Sequence, residues 1–304
     1  GRPVLVEWSR GEEFRLSRHR PKFDADVAAA LDRNGRLVAW RYHARTNPHL
    51  YTVEPPHPGM HEMSAGRNAL PPYALGCADI RLTVEQADVP TAAFRSLGAS
   101  LNVFAIESFI DELAEAARED SIAFRLAHID DPRLTRVLEV VRERSCWARQ
   151  RPAGIGLGVA CAIYHGTYIA QVAEVAMRAG RPVLERAWCA VDAGRMVHVD
   201  GARNQIEGGI QQAASWTLLE ELRQEAGVVQ SASWRDYPIA RCHDAPREID
   251  VVFVGAPGQP STGVGEPGSV PTAAAIANAI RGACGRRVRT LPIRITKQED
   301  DDVG

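Results

Sequence analysis

The loop at residues 262–269, Thr-Gly-Val-Gly-Glu-Pro-Gly-Ser, and the helix-like run at 271–283 that follows it constrain this chain more than any other feature. Glycine tolerates positive φ and the close approach of another group, and Pro267 fixes its own φ. Glu266 is therefore predicted on a stiff turn ahead of a helix N-terminus, where its carboxylate can reach a bound ligand. The alternative is that Glu266 only complements the positive end of the helix dipole.

Composition and charge exclude several classes of protein. The 304 residues are 45% hydrophobic and 24% charged, which is ordinary for a globular protein with a buried core. The formal net charge of -2 shows no basic excess for a nucleic acid partner, and no run reaches the ~18 apolar residues of a membrane span. Because the chain starts at Gly1 and residues 2–8 already read as a strand, we expect a fragment of a larger subunit. Its localisation stays open between the cytoplasm and the periplasm.

The cysteines and histidines do not follow a metal-binding pattern. The sequence has no Cys-x-x-Cys pair for zinc or an iron–sulfur cluster. His57 and His61 are four residues apart, but Pro58 and Gly59 lie between them and argue against a shared helix face. We therefore expect buried free thiols and no metal ion held by side chains of this chain. The six cysteines are Cys77, Cys146, Cys161, Cys189, Cys242 and Cys284.

The first half of the chain predicts a sheet followed by helices. Asn34 and Gly35 form the favoured pair for a hairpin turn with positive φ. Residues 47–76 have no clear period and are expected to form a long irregular connection. Apolar residues at a 3.6-residue spacing indicate one helix, and Pro132 suits the first turn of a second. Strands are predicted at 23–31, 36–44 and 80–84, and helices at about 103–117 and 132–144.

The second half predicts further strands and two helices, which gives an α+β fold with antiparallel-rich sheets. Asp200 can cap a helix in which Gly208 and Gly209 each cost ~1 kcal/mol relative to Ala. These glycines indicate the close approach of a packed strand or a ligand. Strands are predicted at 154–164, 168–177, 182–191, 249–254 and 291–296, with a hairpin across 178–181. The best boundary divides the chain into subdomains 1–148 and 149–304.

Four segments form an ordered set that points to one family. They are 94–98 (Phe-Arg-Ser-Leu-Gly) before a helix, 205–209 (Gln-Ile-Glu-Gly-Gly) within a helix, 236–238 (Asp-Tyr-Pro) before a strand, and the loop at 263–268. The set resembles the molybdenum-binding subunit of the xanthine dehydrogenase and aldehyde oxidase superfamily. Two more segments, at 107–113 and 190–194, resemble the branch that contains the isoquinoline 1-oxidoreductase beta subunit. The resemblance covers nearly the whole chain and implies two mixed α/β molybdopterin-binding subdomains, each of them partial.

The resemblance also implies a cofactor and a site. The cofactor would be molybdenum held by molybdopterin, expected in its cytosine dinucleotide form. The reaction would be oxidative hydroxylation of an N-heteroaromatic or aldehyde substrate, with water as the oxygen source. Glu266 matches the catalytic base. The alternatives are a surface guanidinium for Arg95 and an exposed helix residue for Gln205. The residues that match cofactor-binding positions are Phe94, Arg95, Gly98, Gln205, Gly208 and Gly265.

Partners are implied as well. The resemblance implies that electrons leave through iron–sulfur clusters on a two-cluster small subunit, which is consistent with the absence of cluster cysteines from these 304 residues. Two further pterin loops of the family are also absent, so we expect the remaining N-terminal part of the molybdenum subunit to complete the site. The isolated chain is expected to be inactive.

Two other interpretations stay open. The chain could be a non-catalytic remnant that keeps the fold as a binding or assembly module. The loop at 263–268 could also be a phosphate site in a nucleotide-binding protein. That loop lacks the Gly-Lys-Ser/Thr ending of a P-loop and is not a strand–Gly-x-Gly-x-x-Gly–helix unit. Neither alternative gives Glu266 a role as a base.

Overall fold

A computed structural model describes residues 1–49, 60–256 and 258–295. The first part of the chain holds a three-stranded sheet in the order β1-β2-β3, with β2 antiparallel to β1 and parallel to β3. Its elements are α1 (Arg10–Leu16), β1 (Phe23–Leu31), β2 (Leu37–Thr46), α2 (Met60–Ala65), β3 (Cys77–Val84), α3 (Ala99–Ala117), α4 (Ser121–Ala127) and α5 (Pro132–Arg144).

The second part holds a four-stranded sheet in the order β4-β5-β6-β9, antiparallel except for the parallel β6–β9 pair. Its elements are β4 (Ile155–Tyr164), β5 (Thr167–Arg178), β6 (Arg181–Asp192), α6 (Val199–Leu218), β7 (Gln224–Glu225), β8 (Val228–Val229), β9 (Glu248–Phe253) and α7 (Thr272–Cys284). The predicted α+β class with antiparallel-rich sheets is confirmed.

The hairpin turns follow local sequence signals. Asp32 Oδ1 accepts hydrogen bonds from the backbone amides of Asn34 and Arg36, at 2.8 and 2.9 Å, and Gly35 takes a φ of 76°. Between β5 and β6, Ala179 and Gly180 both have positive φ, which matches the twist of the flanking strands. Both predicted hairpins are confirmed.

Helix α7 packs directly on β4, and this contact positions the loop that precedes the helix. A Cβ at Gly156 would lie 2.1 Å from the carbonyl oxygen of Ala279, and one at Gly158 would lie 2.1 Å from the Ala279 amide nitrogen. Only glycine permits so close an approach. The alanine-rich face of α7 is fully buried there, with Ala274 and Ala275 at 0% exposure. The loop at 262–269 therefore enters a rigid helix.

A buried ion pair fixes α3 against α4 and β4. Arg125 Nε donates to Glu107 Oε2 at 3.0 Å, and both side chains are almost fully buried. Glu107 also accepts from the Cys161 amide, at 2.9 Å, and from the Tyr73 hydroxyl. A buried carboxylate with this many donors is fully satisfied. The start of α3, which follows residues 94–98, is held in place as a result.

Both halves of the chain contribute residues to each of the two hydrophobic clusters. The apolar stripe of α5, including Leu134, Val137 and Val141, packs with Val172 of β5 and Trp188 of β6. The subdomain boundary at 148/149 stays a prediction. No helix among the described residues is long and apolar enough to span a membrane.

Several predicted elements are wrong. Residues 2–8 form no strand, because β-propensity gives no stability without a pairing partner. Residues 291–295 form no strand either: Pro292 cannot donate, and the Ile293 amide donates to Thr217 at the end of α6 instead. Position 296 lies outside the described residues. Asp200 does not cap α6, because His198 is the cap and accepts from the Gly201 amide.

Three further details differ from expectation. The connection at 47–76 contains α2, and its residues 50–59, with His57, lie outside the described part. Helix α4 was not predicted, because seven residues are too short for a clear period. Only Cys161 and Cys189 are buried, while the exposed cysteines are Cys77, Cys146, Cys242 and Cys284.

Candidate functional site

Arg95 belongs to the segment at 94–98 and contacts two of the other segments singled out in the sequence, those at 205–209 and 263–268. Its guanidinium donates to the Gly265 carbonyl (Nε, 2.7 Å), to the carbonyl and side chain of Gln205 (Nη2, 3.0 Å each) and to the Gln212 side chain (Nη1, 3.2 Å). A second contact to the Gly265 carbonyl comes from Nη2. The planar fork of donors suits several acceptors at once. The turn at 94–98, helix α6 and the loop at 263–268 therefore meet at this side chain.

The Glu266 carboxylate is held from two sides. The Ser96 amide donates to Oε1 at 2.9 Å, and the Tyr164 hydroxyl donates to Oε2 at 2.7 Å. Glu266 precedes a 3₁₀ turn at Pro267–Ser269, but its side chain accepts no capping hydrogen bond from that turn. Its partners lie instead on the 94–98 turn and at the end of β4, so the carboxylate is not bound as a simple helix cap.

The loop that carries Glu266 is anchored at both ends. Thr167, at the start of β5, contacts the Thr262 hydroxyl at 2.6 Å and donates to the Gly263 carbonyl at 2.7 Å. Beyond the carboxylate, the Ser269 amide and hydroxyl both donate to the Glu266 carbonyl, at 2.9 and 2.8 Å. The backbone of residue 266 is therefore fixed on either side.

The two adjacent glycines of α6 have different surroundings. A Cβ at Gly209 would meet the Ser269 amide nitrogen at 3.1 Å and the backbone of Gly268 at 3.2 Å. A Cβ at Gly208 would meet nothing within 4 Å, and the same holds for Gly265. Gly209 thus packs the helix against the Glu266 loop, whereas Gly208 and Gly265 border open space. Close packing against a neighbouring segment therefore explains the glycine at 209 but not the glycine at 208.

Two other predicted site residues face different neighbours. The Phe94 ring packs edge-on against Trp216 of α6, with the ring centroids 5.3 Å apart. Gly98 faces α2, where a Cβ would lie 2.0 Å from the Ala65 carbonyl oxygen. Phe94 and Trp216 also line a cavity of about 1200 Å³ bordered by β1 and α3. Neither contact brings Phe94 or Gly98 to Glu266.

The backbone of the 94–98 turn is strained. Ser96 has a φ of 76° and Leu97 a φ of 47°, both unusual for residues with a Cβ. This conformation brings the Ser96 amide to the Glu266 carboxylate. Strain of this kind persists only where the surrounding structure imposes it, and it clusters at functional sites.

The sequence did not indicate Ser96, Gln212 or Tyr164 as site residues. Gln212 lies seven positions after Gln205 on α6, and this two-turn spacing could have suggested a shared face. Ser96 and Tyr164 are 170 and 102 residues from Glu266 in the chain, so no local pattern connects them.

Burial and charge tune the groups around Glu266. Burial raises the pKa of Tyr164, and the hydrogen bond to Glu266 and its charge act in the same direction. The nearby Arg67 charge opposes them. Burial also lowers the pKa of Arg95, which the charge of Glu266 opposes. An arginine remains cationic at neutral pH, so the site pairs a cation with a carboxylate and a neutral phenol. Among the described residues, His, Cys, Asp and Glu form no group of three that could hold a metal ion.

Comparison with known proteins identifies relatives over nearly the whole chain. Two family models, both described as molybdopterin cofactor-binding domain, match residues 1–129 and 138–246. A nicotinate dehydrogenase subunit of Pseudomonas putida is 35% identical over 96% of this chain, and the beta subunit of isoquinoline 1-oxidoreductase from Brevundimonas diminuta is 31% identical over 97%. The chain spans only 27% and 39% of the length of these two relatives.

Solved structures share the fold. Quinoline 2-oxidoreductase from Pseudomonas putida 86 matches with a TM-score of 0.76 at 15% identity, over 91% of this chain and 61% of that one. The aldehyde oxidoreductase from Desulfovibrio desulfuricans matches with a TM-score of 0.76 at 16% identity, over 94% of this chain and 49% of that one. The resemblance and the fold class inferred from the sequence are both confirmed.

Proposed function

Since the chain belongs to the molybdopterin cofactor-binding domain family of xanthine dehydrogenase and aldehyde oxidase type, we propose that it forms part of a molybdenum hydroxylase catalytic subunit. Its substrate would be an N-heteroaromatic compound or an aldehyde, with water as the oxygen source. The observation that carries this proposal is the Glu266 carboxylate, held by Ser96 and Tyr164 beside the guanidinium of Arg95. A general base needs this combination of fixed position and an open approach.

The residues present fit a molybdopterin. Gln205 is exposed beside Arg95 and offers an amide that can both donate and accept, which suits a pterin edge. The space over Gly208 and Gly265 is open, and a glycine in a helix interior costs ~1 kcal/mol relative to Ala. A ligand close to the helix accounts for that glycine. When bound, the cofactor supplies the two-electron redox centre.

Individual residues would hold it in different ways. Arg95, Gln205, Gly208 and Gly265 would contact the cofactor directly, with Gly265 presenting bare main chain. Phe94 and Gly98 would act through the shape of their turn, because Phe94 packs on Trp216 and Gly98 faces the Ala65 carbonyl. The cytosine dinucleotide form remains part of the proposal.

Glu266 would take a proton from the water-derived nucleophile. Each carboxylate oxygen already accepts one hydrogen bond, and a carboxylate has about four lone-pair positions, so lone pairs remain for a proton. Arg95 ties the Gly265 carbonyl to α6 and so limits movement of the adjacent Glu266 backbone. The chain's own contribution is thus a positioned base next to a fixed cation.

Two partners belong to the proposal. A two-cluster iron–sulfur small subunit would accept the electrons, and the rest of the molybdenum subunit would complete the cofactor site. Support comes from the nicotinate dehydrogenase and isoquinoline 1-oxidoreductase relatives, since both are named as subunits and both are much longer than this chain.

The experiment that tests the proposal is metal and pterin analysis of the full-length protein purified with its small subunit. We expect close to one molybdenum per subunit and pterin fluorescence after denaturation. A complex with neither would instead support the alternative, a non-catalytic assembly module with the same fold.

A further inference from the structure

The side chain of Tyr164 contacts Glu266, and no local sequence pattern indicates this contact. It is the last residue of β4, its side chain is 2% exposed, and its hydroxyl donates to Glu266 Oε2 at 2.7 Å. The turn that follows, His165-Gly166, has positive φ at both residues and leads directly into β5. Because both ends of the turn are paired strands, the phenol is held at a fixed distance from the loop at 262–269.

The two donors to Glu266 come from elements outside its own loop. The Ser96 amide belongs to the strained turn before α3, and Tyr164 belongs to the four-stranded sheet. Each oxygen of the carboxylate therefore has one donor, and the two donors lie on separate structural units. A glutamate has three side-chain torsions, and contacts at both oxygens restrict its terminal carboxylate more than one contact would.

We propose that Tyr164 is a positioning residue, which together with the Ser96 amide clamps the Glu266 carboxylate in the orientation required of the base. The role in turnover rests on the proposed function, whereas the clamp itself does not. Tyr164 does not need to touch substrate or cofactor. Its hydroxyl stabilises the ionised carboxylate and keeps one oxygen directed at β4, which leaves the remaining lone pairs in a fixed direction.

Other charged groups face this pair and enter the interpretation of any pH dependence. Arg67, on the segment after α2, contacts the His165 ring and acts electrostatically on the Tyr164 phenol. The His165 ring packs edge-on against Tyr164, with centroids 4.5 Å apart. Arg95 acts on Glu266 from the other side. The His165→Gln variant therefore serves to identify any limb of the profile that belongs to the histidine.

The chain offers a matched control for Tyr164. Tyr168, four residues further on in β5, also donates its hydroxyl to a carboxylate, Asp131 Oδ2, at 2.8 Å. Asp131 caps α5 by accepting from the backbone amides of Arg133 and Leu134. Tyr164→Phe and Tyr168→Phe each remove one hydroxyl from a tyrosine–carboxylate pair, but only the first affects the clamp.

The first measurement is turnover per molybdenum in the full-length enzyme across pH. Tyr164→Phe should lower kcat about 10- to 100-fold with KM and molybdenum content little changed, since misplacement of a reacting group costs rate. Tyr168→Phe should leave kcat unchanged over the same pH range. An unchanged kcat in Tyr164→Phe at every pH would overturn the positioning role.

The second measurement does not depend on activity. Urea unfolding of the full-length protein is compared for Tyr164→Phe, Glu266→Ala and the double variant, with Tyr168→Phe in the same backgrounds. If the clamp exists, Tyr164→Phe lowers the midpoint in the wild-type background but loses that effect beside Glu266→Ala. Tyr168→Phe should have the same effect in both. Equal effects of Tyr164→Phe in both backgrounds would refute the clamp, even if the enzyme proves to be a hydroxylase.

The two measurements can refute the proposed function and the clamp independently of each other. A wild-type enzyme without hydroxylase activity overturns the proposed function and with it the role of Tyr164 in turnover. The unfolding cycle then still decides whether Tyr164 and Glu266 are coupled.

Discussion

The adjacent glycines of α6 allow a sharp test of how the helix meets the Glu266 loop. Replacing glycine by alanine inside a helix normally stabilises it by ~1 kcal/mol, because alanine restricts the unfolded chain and has the highest helix propensity. At Gly208 nothing lies within 4 Å of the new methyl group, so we expect the full gain. For 304 residues, thermal unfolding should shift upward by about 1–2 °C, because the unfolding entropy grows with chain length.

At Gly209 the same change should act in the opposite direction. The new methyl group would lie 3.1 Å from the Ser269 amide nitrogen and 3.2 Å from the Gly268 carbonyl carbon, both of which are backbone atoms that cannot rotate away. Overpacking of this kind costs ~1–3 kcal/mol, which cancels or exceeds the helix gain. The two variants should therefore differ by ~1–3 kcal/mol, although they change neighbouring residues identically.

Thermal and urea unfolding followed by tryptophan fluorescence would measure the difference. If Gly209→Ala stabilised the protein as much as Gly208→Ala, α6 would not be packed on the Glu266 loop. The open space at Gly208 adds a second readout, molybdenum and pterin content. We expect Gly208→Ala to retain less cofactor despite its greater stability, because the methyl group enters the space proposed for the pterin. Full retention would refute that assignment.

Three other substitutions test the framework around the site. Arg95→Lys should lower the free energy of unfolding by ~1–3 kcal/mol, because an ammonium cannot bridge the same acceptors, and urea titration would detect the loss. Arg125→Met should cost ~3–5 kcal/mol by leaving Glu107 charged, buried and unpaired, and adding Glu107→Gln should restore part of the loss. Arg133 holds the pKa of Asp192 in the folded protein below its ordinary value. The pair therefore stabilises the fold at any pH above the pKa that Asp192 has in the unfolded chain. This contribution is lost as the pH falls through the lower pKa of Asp192 in the folded protein. Arg133→Gln should therefore flatten the acid side of the stability profile, and a slope unchanged below about pH 4 would contradict that account.

Elements with local signals could be predicted from the sequence. Asp131 caps α5, Pro132 occupies its first turn and an apolar stripe runs along it, and the predicted bounds agree with the observed helix. The hairpin at Asp32–Gly35 and the loop around Glu266 were likewise recognisable from glycine, proline and asparagine positions. In each case the information lies within a few residues.

The contacts that define the candidate site join residues far apart in the chain and leave no local sequence signal. Glu266 meets Ser96 and Tyr164 only because the sheet, α3 and α7 pack together, and those residues are far apart in the chain. The sequence also could not distinguish Gly208 from Gly209, since neighbouring helix positions differ only by their direction around the axis. Residues 2–8 have strand propensity but no partner among the described residues, which a sequence pattern cannot reveal.

The central claim is that Glu266 is the base of a molybdenum hydroxylase, and the rate of hydroxylation per bound molybdenum in Glu266→Gln tests it most directly. Glutamine keeps the shape: its carbonyl oxygen can still accept from the Ser96 amide and its NH2 group can donate to the Tyr164 oxygen, but it cannot take up the proton. The account predicts unchanged molybdenum content and a rate per molybdenum lower by about 10²–10⁴-fold. A metal-loaded variant whose rate stays within a few-fold of the wild type would contradict it.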